Sequence, residues 1–176
     1  MIPVRMGYIG TGDEAIYNTI ELMKELIKRG ERDMVIRQLA TQLVSGVPER
    51  DERGEVATIF NFLKSKTRFT KDPAGFEFLQ TPRHILEQLQ QGIKPHLDCD
   101  DMTVLGGALL RTVGYPVRLK AISVSPTREY THIYLLVKIG DSNCCWLAFD
   151  PANPVSRLGI EPQGITRYHI EEVEEW

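Results

Sequence analysis

The chain is short of cysteine, of long apolar runs and of excess charge of either sign. Three cysteines occur in 176 residues, at positions 99, 144 and 145. So sparse and odd a set excludes a disulfide-stapled scaffold and points to a reducing compartment. No stretch approaches the ~20 consecutive apolar residues that span a bilayer. The opening MIPVRMGYIGTGDEA lacks a charged leader and an apolar signal-peptide core, so a cytoplasmic location is expected. A formal net charge of −3, with no basic cluster, leaves no electrostatic case for nucleic acid or an anionic membrane as partner. Internal repeats and low-complexity tracts are absent too.

What is present reads as an ordinary globular chain, 42% hydrophobic and 26% charged. Its length suits a single domain over residues 1–176. The N-terminal half has helical periodicity. TGDEAIYNTIELMKELIKRG starts at Thr11 or Asp13 as N-cap and ends at Gly30, with Ile16, Ile20, Met23 and Ile27 on one face. ERDMVIRQLATQLVSG predicts a second helix with Met34, Leu39 and Leu43 facing inward. DERGEVATIFNFLKSKTRF predicts a third, burying Val56, Ile59, Phe60 and Leu63. Thr81 and Pro82 mark the start of a short fourth helix that closes before Gly92.

The segment HLDCDDMTVLGGALLRTVGYPVRL holds one cysteine, Cys99, among three aspartates where an apolar helix begins. From Met102 to Val113 that helix is apolar on nearly every side, as a buried helix is. Gly106-Gly107 costs about 1 kcal/mol per glycine relative to alanine, which predicts close approach of another backbone. Gly114 and Pro116 end the helix. Beyond it the period changes from 3.6 to 2. VRLKAISVS, THIYLLVKI, CCWLAFD and a weaker TRYHIEEV read as four antiparallel strands. The expected fold class is therefore α+β: N-terminal helices and a central buried helix carrying the cysteine, packed on a C-terminal antiparallel sheet.

Gly140, Asp141, Ser142 and Asn143 separate the two best strands and predict a hairpin. Centred on Asp141, it sets Leu136 opposite Trp146, Tyr134 opposite Ala148 and His132 opposite Asp150. Opposed Cβ atoms lie ~4.5–5.5 Å apart, within reach for an imidazole–carboxylate pair. A thiol at a helix N-terminus feels the positive end of the helix dipole. A histidine base oriented by a third group would make it a nucleophile. Cys99, His132 and Asp150 can fill those roles in that order.

DCDDMTVLGGALLRTVGYPVRL, THIYLLV and WLAFDPANP together resemble the transglutaminase-like superfamily, relatives of papain-fold cysteine proteases. That core has a cysteine opening a helix, a histidine starting the next strand and an aspartate closing the following one before proline. Cys99, His132 and Asp150 fall on those positions. The resemblance covers roughly residues 55–155, with residues 1–50 as a helical N-terminal extension, and small single-domain versions resemble proteins of bacteria and tailed phages. It implies a cysteine protease or amidase, or a protein-glutamine transglutaminase, acting on a protein or peptide without a cofactor. A catalytically idle fold used as a binding or assembly module, as in a phage particle, is the alternative.

Other residues have plainer readings. His96, Asp98, Cys99 and Asp100 lack the paired spacing of a metal site, so no metal is expected. Cys144 and Cys145 point to opposite faces of a strand and read as packing residues. His84, His96 and His169 read as surface or satisfied core residues. Asp100 and Asp101 are expected to cap the buried helix, and Gln80 is a candidate oxyanion donor beside the Cys99 amide.

Overall fold

The computed structural model describes residues 4–7, 13–71, 77–125, 129–140 and 146–174. Among the described residues five helices precede or flank the strands: α1 (Asp13–Arg32), α2 (Met34–Val44), α3 (Glu52–Lys66), α4 (Pro82–Gln90) and α5 (Cys99–Thr112). The main sheet comprises β5 (Val117–Ser123), β6 (His132–Lys138), β7 (Trp146–Phe149) and β8 (Arg167–Glu172), all antiparallel in the order β7-β6-β5-β8. The α+β class expected from the periodicity is the class found.

Helix α5 is the hub. Every residue from Asp101 to Leu110 is buried, with α1, α2 and α3 packed against it and β6 behind it. Ile20, Met23 and Ile27 of α1, Ile36 and Ala40 of α2, and Ile59 and Leu63 of α3 join one core with Val104, Leu105 and Leu109. Each fully buried aliphatic side chain contributes roughly 1.5–3 kcal/mol. Helix α3 buries the four residues its periodicity predicts, and α4 starts with Thr81 Oγ1 accepting the His84 N–H and Pro82 at N1.

Several local expectations are corrected. Helix α1 runs through Gly30 to Arg32, so Gly30 is an interior packing residue. A Cβ there would stand 2.7 Å from Ala108 Cβ and 2.8 Å from Pro82. Helix α2 turns Ile36 and Ala40 inward and leaves Met34 65% exposed. Its N-cap Asp33 explains this: the side chain accepts the Val35 N–H and also takes a bidentate ion pair from Arg83, which fixes the start of the helix and its rotation.

The Gly106-Gly107 pair accommodates side chains, not a second backbone. A Cβ on Gly106 would lie 2.9 Å from Phe149 Cε1 and 3.2 Å from Leu63 Cδ1, and one on Gly107 would meet Ile27. Gly106→Ala is therefore expected to destabilise the protein despite its better helix propensity. Overpacking of about 1–3 kcal/mol outweighs a gain of about 1 kcal/mol, and a fall in Tm checks it. An unchanged or higher Tm would show that Phe149 can move aside freely.

Two small sheets were not legible from periodicity. β1 (Val4–Gly7) pairs antiparallel with β3 (Glu77–Gln80), and β2 (Arg68–Phe69) pairs parallel with β4 (His96–Leu97). The second pairing delivers the chain to Asp98 and the start of α5. No helix among the described residues is long and apolar enough to cross a membrane.

Candidate active site

Asp98 is the N-cap of α5, its Oδ1 accepting the Asp101 N–H at 3.0 Å. That corrects the expectation that Asp100 and Asp101 cap the helix. Asp101, buried in the first turn, instead accepts both the backbone N–H and the side-chain Nε2 of Gln80, at 2.7 and 2.8 Å. The Gln80 Nε2 also donates to His96 O at 3.2 Å, and its Oε1 accepts from Gln88. Both amide protons of Gln80 are thus committed, and the expected oxyanion role has no donor left. What Gln80 does is tie β3 to the helix start.

Cys99 occupies the first helical position and is half-buried. Its thiol donates to Asp100 Oδ1 at 3.3 Å, and its sulfur accepts from the backbone N–H of Ile133, the residue after His132. The helix start is held on that strand a second time by Thr103 Oγ1, which donates to Ile133 O at 3.3 Å. Burial pushes the Cys99 thiol well above its ordinary value, and the charges of Asp100 and Asp98 push it further. The resting thiol is neutral and is not hydrogen-bonded to His132.

His132 Nε2 and Asp150 Oδ2 are 2.9 Å apart. A buried carboxylate accepts, so Nε2 carries the proton and Nδ1 is left as the basic nitrogen. The register behind this pair differs from the expected one by two residues. Leu136 faces Ala148 and Lys138 faces Trp146, which places Asp150 beyond the end of β7, diagonal to His132. A shift of two preserves the face on which each side chain lies, and diagonal neighbours are still within reach of long side chains. Residues 141–145, where the hairpin turn is expected and which include Cys144 and Cys145, lie outside the described residues.

The loop after Asp150 is a supporting layer that no periodicity announces. Asp150 is 1% exposed. Its Oδ1 accepts the Asn153 N–H at 3.3 Å and its backbone oxygen accepts Ser156 Oγ. From α3, Lys64 Nζ donates to Asn153 O, Pro154 O and Ser156 O at 3.3, 3.0 and 3.0 Å. One ammonium therefore closes the loop DPANPVS around three carbonyls. Lys64→Met keeps the aliphatic stem and removes the donor. A loss of about 1–3 kcal/mol is expected, read as a lower Tm, and an unchanged Tm would mean that water replaces the ammonium fully. The only advance signal was the turn chemistry of Asn153-Pro154.

Two of the other three histidines have partners outside this centre. His96 Nδ1 lies 2.9 Å from Thr70 Oγ1, and His169 pairs with Glu171 and stacks edge-on against Tyr17. Among the described residues no cluster of His, Cys, Asp and Glu could hold a metal ion.

A buried helix presenting a thiol at its start to the leading end of an antiparallel sheet is the layout of a papain-like fold. No protein family and no curated protein matches this sequence. Among solved structures, the chain is similar to a candidate cysteine protease from Cytophaga hutchinsonii, with a TM-score of 0.51 and 13% identity over 89% of this chain. The chain spans 56% of the length of that protein. It is also similar to a candidate protease from Parabacteroides distasonis (TM-score 0.47, 13% identity, 76% of this chain and 30% of that one) and to EGTA-treated LapG from Legionella pneumophila (0.45, 14%, 76% and 71%). The first of these establishes a shared fold.

Proposed function

We propose that the protein is a thiol-dependent hydrolase of peptide or amide bonds in which Cys99 is the nucleophile, His132 the base and Asp150 the group that orients the base. The observation that carries this reading is the 2.9 Å His132–Asp150 pair on the strand whose next amide contacts the Cys99 sulfur. In the reaction the Cys99 proton passes to His132 Nδ1 and the thiolate attacks the carbonyl carbon. The resulting oxyanion is met by the Cys99 amide, a first-turn donor that no helical carbonyl can satisfy. His132 then gives its proton to the leaving amine as the C–N bond breaks. Water, deprotonated by the same nitrogen, cleaves the thioester and restores the thiol. An amine in place of water would give a transglutaminase, but hydrolysis needs no second protein substrate. Residues 55–155 carry the chemistry in this reading, within one domain over 1–176.

Mass spectrometry of the protein incubated with a peptide library tests it. A transient acyl adduct on Cys99, lost in Cys99→Ala and slowed in His132→Ala, is expected. A second reading, an idle fold serving as a binding module, is favoured by the thiol bonding to Asp100 and not to His132. Absence of any adduct, with and without an amine acceptor, would leave that reading standing and remove the first.

A further inference from the structure

We propose that the groove between α3 and the loop 153–159 binds an acidic, partly apolar segment of a polypeptide substrate. The groove encloses about 550 Å³, with Ala57, Phe60 and Leu158 as apolar lining and Lys64 and Arg157 as cations. Arg53, four residues before Ala57 on the same helix face, extends the charge along one wall. Its guanidinium lies 3.7 Å from the point a Cβ on Gly159 would occupy. Arg53 and Arg157 are exposed and meet no carboxylate among the described residues. Lys64 donates to three neutral carbonyls and lies 5.5 Å from the Phe60 ring centroid, and its charge meets no carboxylate among the described residues.

The acidic residues in the first turn of α3 face elsewhere: Glu52 accepts the Gly140 N–H and Glu55 the Tyr115 hydroxyl. Lys64 and Arg157 line the groove and Arg53 stands near it by Gly159, none of them paired with a carboxylate among the described residues, on a chain of net charge −3. Carboxylates suit arginine through bidentate, charge-assisted hydrogen bonds, and the apolar lining takes the intervening side chains. A nucleic acid fits less well, because a phosphate polymer needs a longer basic track and is repelled by the net charge.

The groove shares its wall with the loop that follows Asp150, so a peptide held there touches the loop that carries the proposed orienting carboxylate. Its role as a substrate subsite rests on the hydrolase reading, whereas the binding itself does not. Fluorescence anisotropy with a labelled peptide alternating Glu with Leu and Phe, against the same peptide with Lys for Glu, tests the binding. At low ionic strength the Glu peptide is expected to bind at least fivefold more tightly to the wild type and to Cys99→Ser alike. The R53E/R157E double variant, at unchanged Tm, is expected to lose that preference. Equal affinity for the two peptides, an unaltered preference in the double variant, or tighter binding of a single-stranded oligonucleotide of equal charge would each overturn the proposal. Selective binding of the Glu peptide without cleavage of any peptide would support the groove and count against the hydrolase reading alone.

Discussion

Asp150→Asn is expected to lower peptide turnover by about 10⁴-fold, the scale seen when an orienting carboxylate is neutralised in a comparable triad. Asp150 is almost fully buried and accepts the His132 Nε2 proton, so it sets both the tautomer and the charge balance of the imidazole. An asparagine can present its NH₂ to Nε2, which would turn the basic nitrogen away from the thiol. In the proposed reaction it also removes the negative charge that would stabilise the imidazolium formed when Cys99 gives up its proton. The bond from the Asn153 amide can be kept by the remaining carbonyl oxygen, so the loop should hold its shape. His132→Ala should lose as much, and the double variant little more, because residues of one triad act as a unit. Steady-state kinetics beside a thermal melt separate loss of chemistry from loss of fold. A fall of less than about tenfold would put the orienting role elsewhere.

Much of this architecture is written in local periodicity, and the parts that are not have physical reasons. Helix α3 carries a clean period of 3.6 and the four main strands a period of 2, weakest in β8, and they are found where those periods put them. Strands β1 to β4 have two to four residues each, too few for a period to rise above chance. Gly30 reads as a terminator from sequence because its packing partners, Ala108 and Pro82, are more than fifty residues away.

The candidate site divides along the same line. His132 and Asp150 are on one face because parity survives a two-residue slip in register. The exact partner does not survive it, because the length of the turn decides that. The division of labour among the three aspartates was not legible at all. Which of Asp98, Asp100 and Asp101 caps the helix depends on where β4 delivers the chain and on Gln80, eighteen to twenty-one residues earlier, claiming the Asp101 carboxylate. Lys64 reads as one solvated helix charge among several until the loop after Asp150 folds over it.

Asp100→Asn is expected to make the resting thiol more reactive, which is the reverse of damage to the centre. Burial is the largest cause of the raised Cys99 pKa and the same environment remains in the variant, so the shift should shrink and not vanish. Asp100 is a charged neighbour and also accepts the thiol proton; its neutralisation removes the charge, while the asparagine oxygen can still accept a weaker bond from the thiol. The wild-type alkylation rate with iodoacetamide should therefore keep climbing above pH ~8.5, the ordinary cysteine value. In Asp100→Asn the profile should move to lower pH, and one unit of movement gives about a tenfold faster reaction near neutrality. Stability follows with a definite sign. A thiol whose folded pKa is raised stabilises the fold in full below its unfolded pKa, and that contribution is lost as pH rises through the folded value. The wild type should accordingly lose Tm above pH ~8.5, and Asp100→Asn should lose less of it over the same range. An alkylation profile unmoved by the substitution would mean that Asp100 does not govern the thiol. The neutral resting state would then be due to burial and Asp98, and the proposed proton transfer to His132 would have to be driven by the bound substrate.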